Sequence, residues 1–140
     1  MTNFIKPPSS LPLAGRLMMA AIFVFSAVGK IGAPAMTKGY IASMGLPFPD
    51  LVFLLSIAVE LGGGLLLAFG FGTRLVALGL AVFSVVTGLV FHHAIGDQNE
   101  LFHLLKNLAM AGGLLQVAAF GAGAFSLDAR RATNILPRAA

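Results

Sequence analysis

The sequence predicts an all-α membrane protein, with four transmembrane helices in an antiparallel bundle, and three observations lead there. Of 140 residues, 58% are hydrophobic and only 10% are charged, where a soluble domain carries about 25% charged residues. The apolar residues gather into four runs, each near the ~20 residues that cross a bilayer. The breaks between the runs are rich in glycine, proline or charge. A net charge of +4 on so few charged groups fits Lys and Arg that orient a membrane protein. No basic cluster is interleaved with aromatics, so nucleic acid is not an expected partner. The chain has no cysteine, which excludes disulfide exchange, thiolate chemistry and Cys-ligated metals.

Residues 1–12 read as a polar arm, because Pro7, Pro8 and Pro12 oppose a continuous helix. Residues 13–121 hold the transmembrane domain. Its first span is expected over 13–31, with Arg16 and Lys30 near the two ends, where long basic stems can reach the interface. A cleavable signal peptide is the competing reading, weakened by Lys30 immediately after the candidate cleavage residues Ala27-Val28-Gly29. Gly32, Pro34, Gly39, Gly45, Pro47 and Pro49 then break the chain, leaving room for a short interfacial helical turn over Met36–Ser43. The second span is expected over 51–69 and ends in Gly70-Phe71-Gly72-Thr73-Arg74, a tight turn. The third and fourth spans are expected over 75–91 and 101–120, separated by the polar stretch from His92 to Glu100. Residues 122–140, with Asp128, Arg130, Arg131 and Arg138, read as a polar, basic and partly disordered tail.

Four spans put both ends of the chain on one side. Lys6, Arg16, Arg74, Arg130, Arg131 and Arg138 fall on that side, against Lys30 and Lys38 on the other, so both termini are expected in the cytoplasm. Gly63-Gly64-Leu65-Leu66 and Gly112-Gly113-Leu114-Leu115 are alike and lie in spans of the same direction, as two repeated helical hairpins would leave them.

Glu60 organises the rest. No other charged residue lies between Asp50 and Arg74, and a carboxylate at mid-span costs roughly 2.5–3.5 kcal/mol unless a partner or a function holds it. Neighbours three and four residues apart share a helix face. On that rule the polar residues of each span fall on one stripe: Ser26 and Lys30, Ser56 and Glu60, Ser84 and Thr87 with His92, and His103, Lys106 and Asn107. Such stripes belong inside the bundle, away from lipid. The expected buried polar core is therefore Glu60, Lys30, His92, His103, Lys106 and Asn107. If the two Gly-Gly pairs lie at equal depth, Lys106 is within a lysine stem of Glu60. Glu60–Lys106 is then the expected ion pair, with Asn107 and His92 as hydrogen-bond partners and Lys30 as the rival cation. Glu60, His92 and Lys106 are the candidates for chemistry. A pair that only fixes helix register is the bland alternative.

His92, His93, Glu100 and His103 gather at one end of the molecule, and Glu100-x-x-His103 has a spacing seen in bundle metal sites. The second Glu-x-x-His of a di-metal site is missing, so no metal is expected there.

The order Arg16-Leu17, Gly29-Lys30, Glu60-Leu61-Gly62-Gly63-Gly64, Gly72-Thr73-Arg74, His92-His93, Lys106-Asn107-Leu108-Ala109, Gly112-Gly113-Leu114-Leu115 and Ser126-Leu127-Asp128 resembles the DoxX family, from about Leu13 to Asp128. The resemblance implies a small four-helix protein of the bacterial inner membrane, linked to membrane redox systems. A component or accessory of a quinone-linked oxidoreductase is thus expected, with quinone as the ligand and a protein partner in a redox complex. Phe23, Phe53, Phe91 and Met110 are the residues expected against a quinone ring. Because the chain has no group that carries electrons, catalysis would need a cofactor or a partner subunit. Two other readings compete: a scaffold that anchors a partner protein, and a small proton-coupled carrier acting as an oligomer.

Overall fold

The computed structural model describes residues 9–135. Lys6, Arg138 and most of the expected N-terminal arm lie outside the described residues. The described chain is all-helical: α1 (Ser10–Gly32), α2 (Pro34–Ser43), α3 (Pro49–Phe69), α4 (Thr73–Phe91), α5 (Gln98–Phe120) and α6 (Leu127–Ile135). α1, α3, α4 and α5 are long and apolar enough to cross a membrane.

Local chemistry sets the boundaries. α1 starts at Ser10, inside the segment read as an arm, because Pro12 lies in the first helical turn, where a missing N–H costs nothing. Pro34 and Pro49 open α2 and α3 in the same way. Gly70, at φ +69°, closes α3 in the left-handed region, and Phe71 N–H returns to the Leu66 carbonyl at 3.0 Å. The Asp97 side chain caps α5, accepting the N–H groups of Asn99 and Glu100 at 2.9 and 3.0 Å.

The four long helices form a square. α1 packs on α3 and α5, and α4 packs on α3 and α5, with α4–α5 the most extensive pairing. Their common core is narrow and made of small or single large residues: Ala20, Phe23, Leu67, Ala77, Leu80, Ala81, Ala111 and Leu114. A Cβ on Gly64 would stand 3.0 Å from Val24 and 3.2 Å from Phe23, so glycine sets how near α3 comes to α1. Gly113 faces α1 as well, against Met19, whereas Gly63 faces Leu80 and Gly112 is open to the outside. The two Gly-Gly pairs are thus used alike only in their second glycine. Met18, Phe25, Leu75 and Phe120 are each at least three-quarters exposed. An apolar exterior of this kind is what lipid covers.

The segment after α5 differs from the polar, partly disordered tail read from sequence. Gly121-Gly123 turns the chain back, and Ser126 caps α6 by accepting the Ala129 N–H at 3.1 Å. Arg16, expected to reach the interface, is instead 1% exposed. Its guanidinium donates to the carbonyls of Ala122 and Phe125. Those carbonyls have no helix partners, which explains why the arginine turns inward. On the same surface Asp128 accepts the N–H groups of Gly72 and Thr73 at 2.8 and 2.9 Å, capping α4 from 55 residues away. Arg131 lies over the Phe71 ring at 4.1 Å.

Burial works to raise the pKa of Asp128, but hydrogen bonds from Thr73 and Gly72 and the charge of Arg131 outweigh it and hold the carboxyl below the ordinary 3.8. A depressed carboxylate contributes stability that is fully present above the ordinary value and is lost as pH falls through the folded one. Asp128→Ala is therefore expected to cost about 1 kcal/mol at neutral pH. The gap from wild type should narrow below the ordinary value of 3.8. Thermal unfolding in detergent at pH 7 and pH 3 checks this, and a gap equal at both would show that the charge does not hold the turn.

Candidate functional site

Glu60 sits on a break in helix geometry. α3 is α-helical over Pro49–Ile57 and Gly63–Phe69, and between them Ala58–Gly62 forms a π-helical turn. A π turn adds a residue to the repeat and re-aims the side chains on it, and such turns recur at functional sites. Glu60 is turned into the bundle and is 6% exposed.

Its partner is Lys30. The Lys30 ammonium donates to both carboxylate oxygens, at 2.8 and 2.7 Å, and to Ser26 Oγ at 2.8 Å. Ser26 in turn donates to Glu60 Oε1 at 3.1 Å. Ser26 and Lys30 are one helical turn apart on α1, so a single face of α1 supplies the whole set. The expected Glu60–Lys106 pair is not formed, and neither Asn107 nor His92 bonds to the carboxylate. Helix order explains it: α1 is the neighbour of α3, while α5, which carries Lys106, packs on α1 and α4.

These groups face a cavity of about 630 Å³, a size that holds a small organic ligand. Its walls are mostly apolar, with Ile22, Phe23, Phe83, Val86, Val90 and Met110 among them. Lys30, Glu60, His92, Lys106 and Asn107 all line it, so the structure brings five of the six expected core residues to one space. The sixth, His103, lies behind His92, with their rings stacked at 4.8 Å. Phe23, Phe91 and Met110 line the cavity, whereas Phe53 does not and is buried beneath the Lys38 ammonium. Ser84 and Thr87 donate to carbonyls of their own helix, at 2.8 Å each to Leu80 and Phe83, and offer the cavity little.

Sequence reasoning did not foresee the part played by α2. Thr37, Tyr40 and Ile41 of this short helix close one side of the cavity. Tyr40 stacks on Phe91 at 5.6 Å and donates to the Phe91 carbonyl at 3.3 Å. Burial, with the charge of Glu100 second, pushes the Tyr40 phenol above its ordinary value, so it stays a neutral donor. The one tyrosine in the chain, sitting among interfacial breaks, was the available signal.

The histidines make pairs, not a cluster. The His92 ring contacts Glu100 through Nδ1 at 2.9 Å, and His93 Nδ1 donates to the Val90 carbonyl at 3.0 Å. His103 Nδ1 accepts from the Lys106 ammonium at 3.0 Å, which leaves its Nε2 as the N–H donor. Among the described residues no group of three or more His, Cys, Asp or Glu is arranged around a metal position.

Comparison with known proteins agrees with this architecture. A family model described as DoxX matches residues 11–93. The chain is 38% identical to the inner membrane protein YqjF of Escherichia coli (strain K12) over 116 residues, 83% of this chain and 88% of that one. It is 31% identical to the inner membrane protein YphA of the same organism over 127 residues, 86% of this chain and 89% of the other. No solved structure gives a significant match. With more than half its length matched by the family model and most of it by both relatives, the chain belongs to the DoxX family and is an integral inner-membrane protein.

Proposed function

We propose that the cavity is the binding site for a quinone-class ring, and that the protein serves as the membrane component of a quinone-linked redox system. The observation that carries this reading is an apolar cavity, sized for a ring, with the Lys30–Glu60 pair set in its wall. Phe23, Phe91 and Met110 would pack on the ring faces. Reduction of a quinone consumes two electrons and two protons. Glu60, held by Lys30 and Ser26, is the group placed to pass a proton, while the electrons come from a partner subunit or its cofactor. On this reading both termini are cytoplasmic, since Arg16, Arg74, Arg130 and Arg131 share the terminal end of the bundle. The face of the membrane from which trypsin reaches Arg130 and Arg131 tests that orientation.

The functional test is extraction of the purified protein for bound quinone, together with titration by decylubiquinone. Wild type is expected to carry or bind quinone, and Glu60→Gln to bind it at least several-fold more weakly. An empty extract, no titratable binding and unaltered partner recruitment in Glu60→Gln would replace this reading with that of a membrane scaffold.

A further inference from the structure

The charges lining the cavity do not cancel. Glu60 is neutralised by Lys30, and Glu100 is paired with His92. Lys106 has no carboxylate within ion-pair distance among the described residues, and its one polar contact there is a neutral acceptor, His103 Nδ1. Two of its three ammonium donors are therefore free. Neither neighbour offers a counter-charge. Asn107 Nδ2 is committed to the His103 carbonyl at 3.1 Å, and the carboxamide oxygen carries no charge. The Lys106 backbone lies eight residues into α5, about 12 Å along the helix, while its side chain is exposed and turns back toward His103. It faces a space whose other walls are chiefly Phe, Ile, Val and Met.

From this we infer that the cavity takes an amphiphilic anion, an apolar ring or chain ending in one acid group, with that group on the Lys106 ammonium and the apolar body against Phe83, Val86 and Met110. The inference rests on the cavity being a ligand site, and adds an anionic class of ligand to the uncharged quinone. The same chemistry is offered by an acyl chain with a carboxylate and by an aromatic ring with an acidic hydroxyl, so both are probed.

The full-length protein in a neutral detergent at pH 8.5 is titrated calorimetrically, with correction for micelle partition. The probes are dodecanoate and pentachlorophenolate, each beside its uncharged counterpart, methyl dodecanoate and pentachloroanisole. At least one anion is expected to bind about tenfold or more tightly than its counterpart, as one charge-assisted hydrogen bond provides. Which anion does so identifies the chain or the ring as the preferred body. Lys106→Met should bring the preference to within about twofold without weakening the uncharged probe, and Lys106→Arg should keep it. A preference that survives in Lys106→Met, or is absent from wild type, overturns the inference. If decylubiquinone binds while no anion preference exists, this inference falls and the quinone reading stands. If no probe binds, both fall.

Discussion

Glu60→Ala is expected to lower the stability of the detergent-solubilised protein by about 3 kcal/mol, the low end of what breaking a buried ion pair costs. The low end applies because the Lys30 side chain retains 24% exposure, against 8% for Glu60. Removing the carboxylate leaves an ammonium with Ser26 as its remaining protein partner. It also removes the acceptor for three hydrogen bonds, two from Lys30 and one from Ser26. Glu100→Ala gives the contrast. Glu100 pairs with His92 near the end of the bundle with 29% side-chain exposure, and such a pair contributes about 0–1 kcal/mol. The double variant Lys30→Met/Glu60→Met should recover much of the loss, since two well-packed apolar side chains carry no desolvation cost. SDS titration or thermal unfolding of the four proteins reads the comparison. Equal losses for Glu60→Ala and Glu100→Ala would show that the pair is not what holds α1 to α3.

Arg16→Ala is expected to cost a similar amount, about 3 kcal/mol, by a different route. Each hydrogen bond from a charged donor contributes about 1.5–3 kcal/mol. Here two carbonyls, those of Ala122 and Phe125, lose a common donor inside a buried site. Gly70 is part of the same site, since a Cβ there would meet Arg16 Nη1 at 2.7 Å and Ser126 at 2.5 Å. The α3–α4 turn, the first helix and α6 thus share one buried guanidinium. Its loss should free α6, and trypsin should then cut at Arg130 and Arg131 several-fold faster than in wild type. Arg16→Lys should fall between, because one ammonium cannot match the planar fork that reaches both carbonyls. Digestion of Arg16→Ala at the wild-type rate would show that α6 is held by Asp128 and Arg131 alone.

The four spans were legible because hydrocarbon thickness fixes their length and glycine, proline and charge mark their ends. α5 was read three residues short at its start because Gln98, Asn99 and Glu100 are polar, yet Asp97 caps a helix through them. That most of the polar stripes turn toward one space was legible too, since each lies on one face of its helix. Of the six residues expected in a buried core, Glu60 alone is buried. Their pairing was not legible. Lys30 and Lys106 are both one stem-length from a carboxylate at the depth of Glu60, and only the order of helices around the square decides between them. The depth argument also assumed a regular α3, whereas the π turn at Ala58–Gly62 changes where Glu60 points. The sequence holds no local sign of that turn beyond Gly62. Arg16 misled for a related reason: an arginine near a span end looks the same whether it faces water or carbonyls supplied from the far end of the chain.

That distance has a consequence for how the protein is made. The two acceptors of Arg16 lie 106 and 109 residues further along the chain, and synthesis delivers the first helix long before them. Until residue 125 has been added, every nascent form of the protein carries a full positive charge at that end of the first helix with its final partners missing. In the meantime that charge can anchor the helix end at the membrane surface, as an orienting arginine does. The same side chain can thus act first as an orienting charge during insertion and then, once the last span has entered, as the bolt that closes the finished bundle.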